Sequence, residues 1–178
     1  MKKEDALLDV LFNEPSRHWH FEKLLEAAKI SRPQAARWLR KFLAEGLIRR
    51  IKEQGKMPYY VADHENPAYQ ARKRVFALQL LERKGFLSHL IGLPKAKAVY
   101  IFGSMTRWDW YKESDIDVFI YGDDEGLDRA GFWTLLGREI ETFICKDEND
   151  ARKFAPGLLR NVLDGYRVKG RIDFIKGA

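Results

Sequence analysis

The 178-residue chain is poor in several features that commonly define a class of protein. Its one cysteine, Cys145, excludes an internal disulfide and a cysteine-rich zinc site. No apolar run approaches the ~18 residues that span a bilayer. The opening "MKKEDALLDV" has acidic residues where a secretory signal needs an apolar stretch. These absences lead us to expect a cytoplasmic protein with no membrane association.

The chain has an excess of positive charge, with a formal net charge of +6, and this charge is unevenly distributed along the sequence. Residues 1–62 hold 13 Lys and Arg against 8 Asp and Glu, and residues 63–98 hold 7 against 3. Residues 99–178 hold 12 against 15. A basic N-terminal segment favours a polyanionic partner, and an acidic C-terminal segment suits metal cations. The contrast predicts domains at residues 1–62 and 93–178, joined by a connecting helix at 63–92.

Residues 1–62 predict three short helices and a hairpin. Apolar residues recur with helical spacing in "KEDALLDVLF" and "HFEKLLEAAKI". Ser31 and Gln34 form a capping-box pattern at the start of "SRPQAARWLRKFLAEGL", and Gly46 suits its end. The stretch "LIRRIKEQGKMPYYVA" predicts two strands around a turn at Gly55. This order of elements resembles a winged helix-turn-helix domain.

The third predicted helix and the hairpin carry the residues that we expect to contact duplex DNA. Polar and basic residues lie opposite the apolar face of this helix, where they can read base edges in the major groove. The basic hairpin would meet phosphates. The predicted DNA-binding residues are Gln34, Arg37, Trp38, Lys41, Arg49, Arg50, Lys52 and Lys56. Winged helices also dock proteins, and this alternative stays open.

The connecting segment predicts a helix that starts at Asn66-Pro67, with Asn as the cap and Pro in the first turn. The helical pattern continues to about Leu90, and Gly85 would bend or weaken it. An apolar stripe on this helix would also allow two copies of the chain to pair. The sequence leaves a homodimer open.

The C-terminal segment predicts two strands joined by a Gly-Ser turn in "KAVYIFGSMTRWDWYKESDIDVFI", with a short helix from Thr106. Strand alternation sends Asp115 and Asp117 to one face, opposite the apolar residues between them. Two carboxylates that close repel each other, and a divalent cation would relieve the repulsion. Oxygen ligands of this kind favour Mg²⁺ or Mn²⁺.

A later strand, from about Glu139 to Cys145, repeats the alternation of charged and apolar residues. If it pairs beside the strand of Asp115 and Asp117, Glu141 joins the two aspartates on one face. The tail then predicts a helix and a final strand over residues 171–175.

The stretch "GSMTRWDWYKESDIDVFI" resembles the signature of the nucleotidyltransferase superfamily related to DNA polymerase beta, in particular the minimal nucleotidyltransferases of prokaryotes. The resemblance covers about residues 85–175. The matching residues are Gly103, Ser104, Arg107, Ser114, Asp115 and Asp117. Glu141 stands where the family commonly has a third Asp, and Thr106 and Trp108 replace small residues beside the arginine.

The resemblance implies an α+β chain whose C-terminal domain is a small α/β nucleotidyltransferase with a mixed sheet. Such a domain moves a nucleoside monophosphate from an NTP to a hydroxyl acceptor, and we expect the NTP to be ATP. Gly103, Ser104, Arg107 and Ser114 would bind the nucleotide. Asp115, Asp117 and Glu141 would be catalytic and would hold Mg²⁺ or Mn²⁺.

Two alternatives stay open beside this transferase. The chain could be a DNA-binding transcription regulator whose C-terminal domain only senses a nucleotide. It could also be an antitoxin-type partner of a helical protein, and that protein would then be the acceptor.

Overall fold

The computed structural model describes residues 3–172 and 174, and these divide into two compact units. The first unit comprises the described residues up to Lys73 together with Trp110–Lys112. The second comprises Arg74–Asp109 and the described residues from Glu113 onward. Both units contain helices and strands, which confirms the α+β class. No helix formed by the described residues has the length and apolar character needed to cross a bilayer.

The first unit contains the three helices and the hairpin predicted for residues 1–62. Its elements are α1 (Lys3–Asn13), β1 (Trp19–His20), α2 (Phe21–Ala28), α3 (Arg32–Ala44), β2 (Ile48–Ile51), β3 (Tyr59–Ala62) and the first part of α4 (Pro67–Arg83). The three strands pair antiparallel in the order β1-β3-β2. The identification of this unit as a DNA-binding winged helix stays a prediction.

Local signals account for the ends of α3. The Ser31 backbone N–H donates to Gln34 Oε1 at 3.3 Å, and the capping box is present as predicted. Gly46 follows the C-terminal cap with a φ of +70°, a conformation that favours glycine. Between these ends, Ala35, Leu39 and Phe42 are buried, so the helix contributes its apolar face to the core of the first unit.

A segment distant in sequence completes that core. Trp110 is fully buried, and its ring lies edge-on to Phe12 at a centroid distance of 6.1 Å. The buried Lys73 ammonium donates to the Trp110 carbonyl and lies 4.6 Å from the centre of the indole ring. The Lys112 N–H donates to the Asn13 carbonyl at 2.9 Å. Residues 110–112 are therefore structural members of the first unit.

The second unit contains a four-stranded mixed sheet with helices on its faces. After the remainder of α4, its elements are α5 (Phe86–Ile91), β4 (Ala96–Phe102), a 3-10 turn (Ser104–Thr106), β5 (Ile116–Gly122), α6 (Arg129–Leu136), β6 (Ile140–Cys145), α7 (Glu148–Ala151), α8 (Pro156–Leu163) and β7 (Tyr166–Lys169). The strand order is β6-β5-β4-β7. The β5–β6 pair is parallel and the others are antiparallel, which confirms the predicted mixed sheet.

Two helix predictions need correction. The connecting helix starts where we expected, since Asn66 Oδ1 accepts from the Ala68 N–H at 2.9 Å. It does not continue to Leu90, however. Gly85 has a φ of +76°, which an α-helix cannot accommodate, so α4 ends at Arg83 and α5 begins at Phe86. The final strand predicted over residues 171–175 lies partly outside the described residues, and the last observed strand is β7.

The other correction concerns the short helix predicted from Thr106, which is wrong. The chain forms only the 3-10 turn Ser104–Thr106, in which the Thr106 hydroxyl donates to the Gly103 carbonyl at 3.1 Å. Arg107 then has a non-helical backbone conformation, with φ −104° and ψ −142°, and its side chain is paired with Asp109. This conformation directs the chain away from a helix.

One face of the sheet in the second unit forms an apolar core beneath α7 and α8. Tyr100, Phe102 and Phe119 are buried in it, together with Val162 of α8. Asp117 lies on the same face of β5 as Phe119, two residues earlier. The charged end of β5 thus borders a region from which water is excluded.

Candidate active site

The register of the sheet brings two of the predicted catalytic carboxylates together. Asp117 on β5 is the direct partner of Glu141 on β6 and of Phe102 on β4. Side chains that are partners on adjacent strands point to the same face, and the strands are about 4.8 Å apart. The predicted pairing of the two strands is therefore confirmed.

The third carboxylate is placed differently. Asp115 precedes the first residue of β5 and is exposed, as is Glu141, whereas Asp117 is half-buried. Among the described residues, no group of three or more His, Cys, Asp or Glu side chains is arranged as a metal site. The structure thus forms a close pair, Asp117 and Glu141, with Asp115 near enough to influence Asp117 electrostatically.

The environment of Asp117 makes its carboxyl group unusually basic. Burial, followed by the negative charges of Glu141 and Asp115, raises its pKa to about 6, and the Arg107 guanidinium opposes this rise. A hydrogen bond to the Glu141 side chain adds to the upward shift. Like charges and desolvation both disfavour an ionised carboxylate, so Asp117 keeps its proton to a higher pH than an ordinary aspartate does.

Position 103 requires a glycine, because the Asp117 carboxylate lies where a side chain would be. Its φ of +71° and ψ of −154° lie in a region that is essentially restricted to glycine. A Cβ atom at this position would overlap a carboxylate oxygen of Asp117 and lie 2.9 Å from its carboxylate carbon. The Gly-Ser turn and the β5 carboxylate are therefore packed directly against each other.

Ser104 begins the 3-10 turn that follows Gly103. The turn is closed by the Arg107 N–H, which donates to the Ser104 carbonyl at 2.9 Å. We expected the N-terminus of a helix here, and a single turn offers fewer backbone donors than a helix does. The half-buried Ser104 side chain lies beside Gly103 in this turn.

Arg107 is exposed and held in place by an acidic neighbour that the sequence analysis did not identify. Its Nε and Nη2 atoms donate to the two carboxylate oxygens of Asp109 at 3.1 and 2.9 Å. The hydrogen bonds and negative charge of Asp109 raise the pKa of the Arg107 guanidinium, and the charge of Asp117 raises it further. Asp109 is two residues from Arg107, and an acidic residue this close to a candidate phosphate-binding arginine is visible in the sequence.

A second residue that sequence analysis missed is Arg138, which contacts the segment around Asp115. Its Nη1 atom donates to the Ser114 carbonyl at 2.8 Å. The side chain of Arg138 is buried, unlike that of Arg107. Its position just before β6 was visible in the sequence, but its contact with Ser114 depends on how β5 and β6 pair.

Several predicted DNA-binding residues of the first unit form ion pairs within that unit. Lys41 lies 2.9 Å from a carboxylate oxygen of Glu4 and 3.6 Å from one of Glu45, and Glu4 raises the pKa of the Lys41 ammonium. Arg49 and Lys56 pair with Asp63 and Glu53, at 3.3 and 2.5 Å. Exposed ion pairs are weak, so these side chains are restrained but still available to a polyanion.

The other predicted DNA-binding residues differ in how free they are. Gln34 uses its side-chain oxygen in the capping box. Arg37 is exposed and lies 4.9 Å from the centre of the Trp38 ring. Arg50 and Lys52 are exposed, and neither side chain forms an ion pair with any described residue. The hairpin therefore offers the less restrained cations.

Comparison with known proteins bears on the second unit. Residues 88–165 match the family model described as "Polymerase beta, Nucleotidyltransferase". The matched range includes the six residues of the Gly-Ser to Asp117 signature and also Glu141. The match supports nucleotidyl transfer as the general activity, and nucleotidyltransferases of this family typically use divalent metals. No curated protein and no solved structure matches the chain.

Proposed function

We propose that the protein is a metal-dependent nucleotidyltransferase that moves a nucleoside monophosphate from an NTP to a hydroxyl acceptor. The observation that carries this proposal is the position of the Asp117 carboxyl group, which is packed against Gly103 and paired in register with Glu141 on the neighbouring strand. A carboxylate pair beside a Gly-Ser turn offers sites for a cation and for phosphates in one place. The family match over residues 88–165 supports the same reaction class.

The chemistry of the donor set fits a divalent cation. Asp117 and Glu141 share one face of the sheet, and Asp115 adds a third negative charge nearby. Hard oxygen donors favour Mg²⁺ or Mn²⁺. We propose that these three carboxylates hold the ion. When bound, it would stabilise negative charge on the phosphoryl group and lower the pKa of the attacking hydroxyl group.

The residues around the carboxylates would bind the triphosphate. Because Gly103 lacks a side chain, the Asp117 carboxylate packs directly against the turn, and phosphates bound to the turn would lie beside the ion. The Ser104 hydroxyl group and the backbone N–H groups of the turn are donors for phosphate oxygens. Arg107 carries an exposed positive charge that Asp109 orients, and this charge would balance that of the phosphates. Ser114 would contribute at the other end of the loop.

The proposed reaction forms a bond between the acceptor oxygen and the α-phosphorus. The bond from the α-phosphorus to its bridging oxygen breaks, and pyrophosphate leaves. The proton of the acceptor hydroxyl group passes to a carboxylate, for which Glu141 is suited because it is exposed and can release the proton to solvent. ATP is the nucleotide we propose first, and a protein is a candidate acceptor.

We further propose that the first unit binds duplex DNA. The support comes from the exposed Arg37, Arg50 and Lys52, which no carboxylate of the described residues neutralises. Positive side chains of this kind bind phosphates and release counterions. The pairing of Lys41 with Glu4 makes α3 the less basic part of this surface.

The transferase proposal is tested with α-labelled NTPs, Mg²⁺ or Mn²⁺, and protein, RNA and DNA acceptors. We expect the wild-type protein to transfer label and release pyrophosphate, and Asp117→Asn to abolish both. Glu139→Gln is the matched control, because it removes an exposed carboxylate two residues before Glu141. Nucleotide binding without transfer to any acceptor would instead favour the nucleotide-sensing regulator.

A further inference from the structure

Arg138 is the only arginine that the structure buries among the described residues, with 5% of its surface exposed. Burying a guanidinium group is costly unless hydrogen bonds compensate for the lost water. Arg138 lies between Gly137, which ends α6, and the first residues of β6. A buried positive charge therefore lies just before β6, the strand that carries the candidate catalytic residue Glu141, and its burial must be compensated by specific contacts.

Arg138 makes one such contact with the backbone of Ser114. Its Nη1 atom donates to the carbonyl group of Ser114 at 2.8 Å. The next residue along, Glu139, accepts at its carbonyl from the Ile116 N–H at 2.9 Å. These two hydrogen bonds lie on either side of Asp115 in the sequence. The backbone around Asp115 is therefore tied to the backbone just before β6 at two points.

Asp115 needs such support more than Asp117 does. Asp117 is inside β5, where both neighbouring strands fix its position. Asp115 precedes β5, is exposed, and has no partner in the strand registers of the described residues. Two hydrogen bonds thus support the backbone that presents Asp115: one comes from the Arg138 side chain, and the other joins the backbone groups of Ile116 and Glu139.

We propose that Arg138 is a positioning residue that holds Asp115 in place for cation binding. The inference rests on the proposed function, since it assigns Asp115 to the cation. Arg138 acts through the Ser114 carbonyl and not by touching substrate. The planar guanidinium group is well suited to this role, because it presents several donors in a fixed geometry that a lysine ammonium group cannot reproduce.

The test measures Mn²⁺ binding by the full-length protein without nucleotide, from the electron paramagnetic resonance signal of free Mn²⁺. We compare the wild-type protein with Arg138→Gln and Arg138→Lys. Residues that orient metal ligands typically change metal affinity 10- to 100-fold, so we expect the dissociation constant of Arg138→Gln to rise about tenfold or more. Arg138→Lys, which keeps the charge and a donor, should show a smaller rise.

The matched control is Arg129→Gln. Arg129 is an exposed arginine of the same unit that donates to the Thr142 hydroxyl group at 3.2 Å, so its loss removes the same charge without touching Ser114. Its Mn²⁺ affinity should stay close to that of the wild-type protein. All measurements are made well below the melting temperature of each variant, which is determined separately.

A double-mutant cycle distinguishes positioning of Asp115 from a general structural effect. In an Asp115→Asn background, Arg138→Gln should cause little further loss of Mn²⁺ affinity, because the ligand that Arg138 positions is already gone. A purely structural role would reduce the affinity by the same factor in both backgrounds.

Three results would overturn the inference. Wild-type affinity in both Arg138 variants would do so, as would an equal loss in the two backgrounds. If the wild-type protein neither bound Mn²⁺ nor transferred label, the proposed function would fail and this inference with it. The first two results leave the proposed function intact, so the two failures can be told apart.

Discussion

At the scale of single residues, Gly103 has the most restrictive surroundings in the candidate site. Its backbone conformation is essentially restricted to glycine, and the space for a Cβ atom is taken by the Asp117 carboxylate. We predict that Gly103→Ala destabilises the protein by about 2–4 kcal/mol, from backbone strain and overpacking together, and impairs nucleotide binding. Denaturant unfolding and titration with a fluorescent NTP analogue measure the two effects.

Gly137→Ala is the control for the backbone part of this effect. Gly137 also has a positive φ, of +67°, but apart from its own neighbours in the chain no atom lies within 4 Å of the position that a Cβ would take. This change should cost about 1 kcal/mol and leave nucleotide binding unchanged. Equal effects of the two substitutions would show that the closeness of Gly103 to Asp117 is unimportant.

Asp117 should make the stability of the metal-free protein dependent on pH. Its folded-state pKa of about 6 lies above the ordinary value of about 3.9. The folded state therefore binds more protons than the unfolded state between these values, and stability falls as pH rises through this window. We predict that Asp117→Asn removes the penalty and stabilises the metal-free protein by about 1 kcal/mol above pH ~6.5, after allowance for solvent screening.

The measurement is thermal unfolding in the presence of a chelator at several pH values. The gain from Asp117→Asn should shrink as pH falls below ~6 and disappear near pH ~3, where both states of the wild-type protein carry a protonated carboxyl group. Added Mg²⁺ should raise the melting temperature of the wild-type protein and not of the variant, because only the former binds the ion. A gain that grew toward low pH would contradict this assignment.

At the scale of elements, the hairpin of β2 and β3 differs from α3 in the freedom of its cations. Arg50 and Lys52 form no ion pair with described residues, whereas Lys41 on α3 pairs with Glu4. We predict that replacing Arg50 and Lys52 by Ala weakens duplex binding and reduces the dependence of log K on log salt by about 2, one for each lost phosphate contact. Fluorescence anisotropy of a labelled duplex from about 50 to about 200 mM salt measures both quantities.

Lys41→Ala is the comparison within the same unit. The Lys41 ammonium must leave Glu4 before it meets a phosphate, so its replacement should weaken binding less than that of Arg50 and Lys52. If Lys41→Ala had the larger effect, α3 and not the hairpin would be the main contact. Absence of any duplex binding at low salt would favour the protein-docking alternative.

At the scale of the whole molecule, the chain returns to its first unit from a position far along the sequence. Trp110 comes from the loop between Gly103 and Asp115, yet it is fully buried beside Phe12 in the first unit. We predict that Trp110→Ala destabilises the protein by about 3–5 kcal/mol, because it leaves a large cavity. Guanidinium unfolding, followed by circular dichroism, measures the change.

Trp133→Ala is the matched control for Trp110→Ala. Trp133 lies on α6 with 60% of its surface exposed, so removing its indole ring creates no cavity. Its stability should stay within about 0.5 kcal/mol of the wild-type value. A similar loss from both substitutions would argue against Trp110 as a core residue of the first unit.

Most of the helices and strands could be predicted from the sequence because their signals are local. The capping box of Ser31 and Gln34, the helix start at Asn66 and the alternation around Asp117 each depend on residues a few positions apart. The break at Gly85 could not be predicted from the sequence, because a glycine in a helical pattern often only bends or weakens a helix. Its positive φ is a property of the folded chain.

The sequence by itself thus determined the class of the fold, the signature from Gly103 to Asp117 and the residue types of the candidate site. Tertiary structure decided which carboxylates meet: the β5–β6 register pairs Asp117 with Glu141, and Asp115 stays outside the strand. It also decided that Arg138 holds Ser114. Strand register and side-chain burial depend on contacts between residues distant in the chain. Local alternation indicates which face of a strand a side chain occupies, but not which residue it meets on the neighbouring strand.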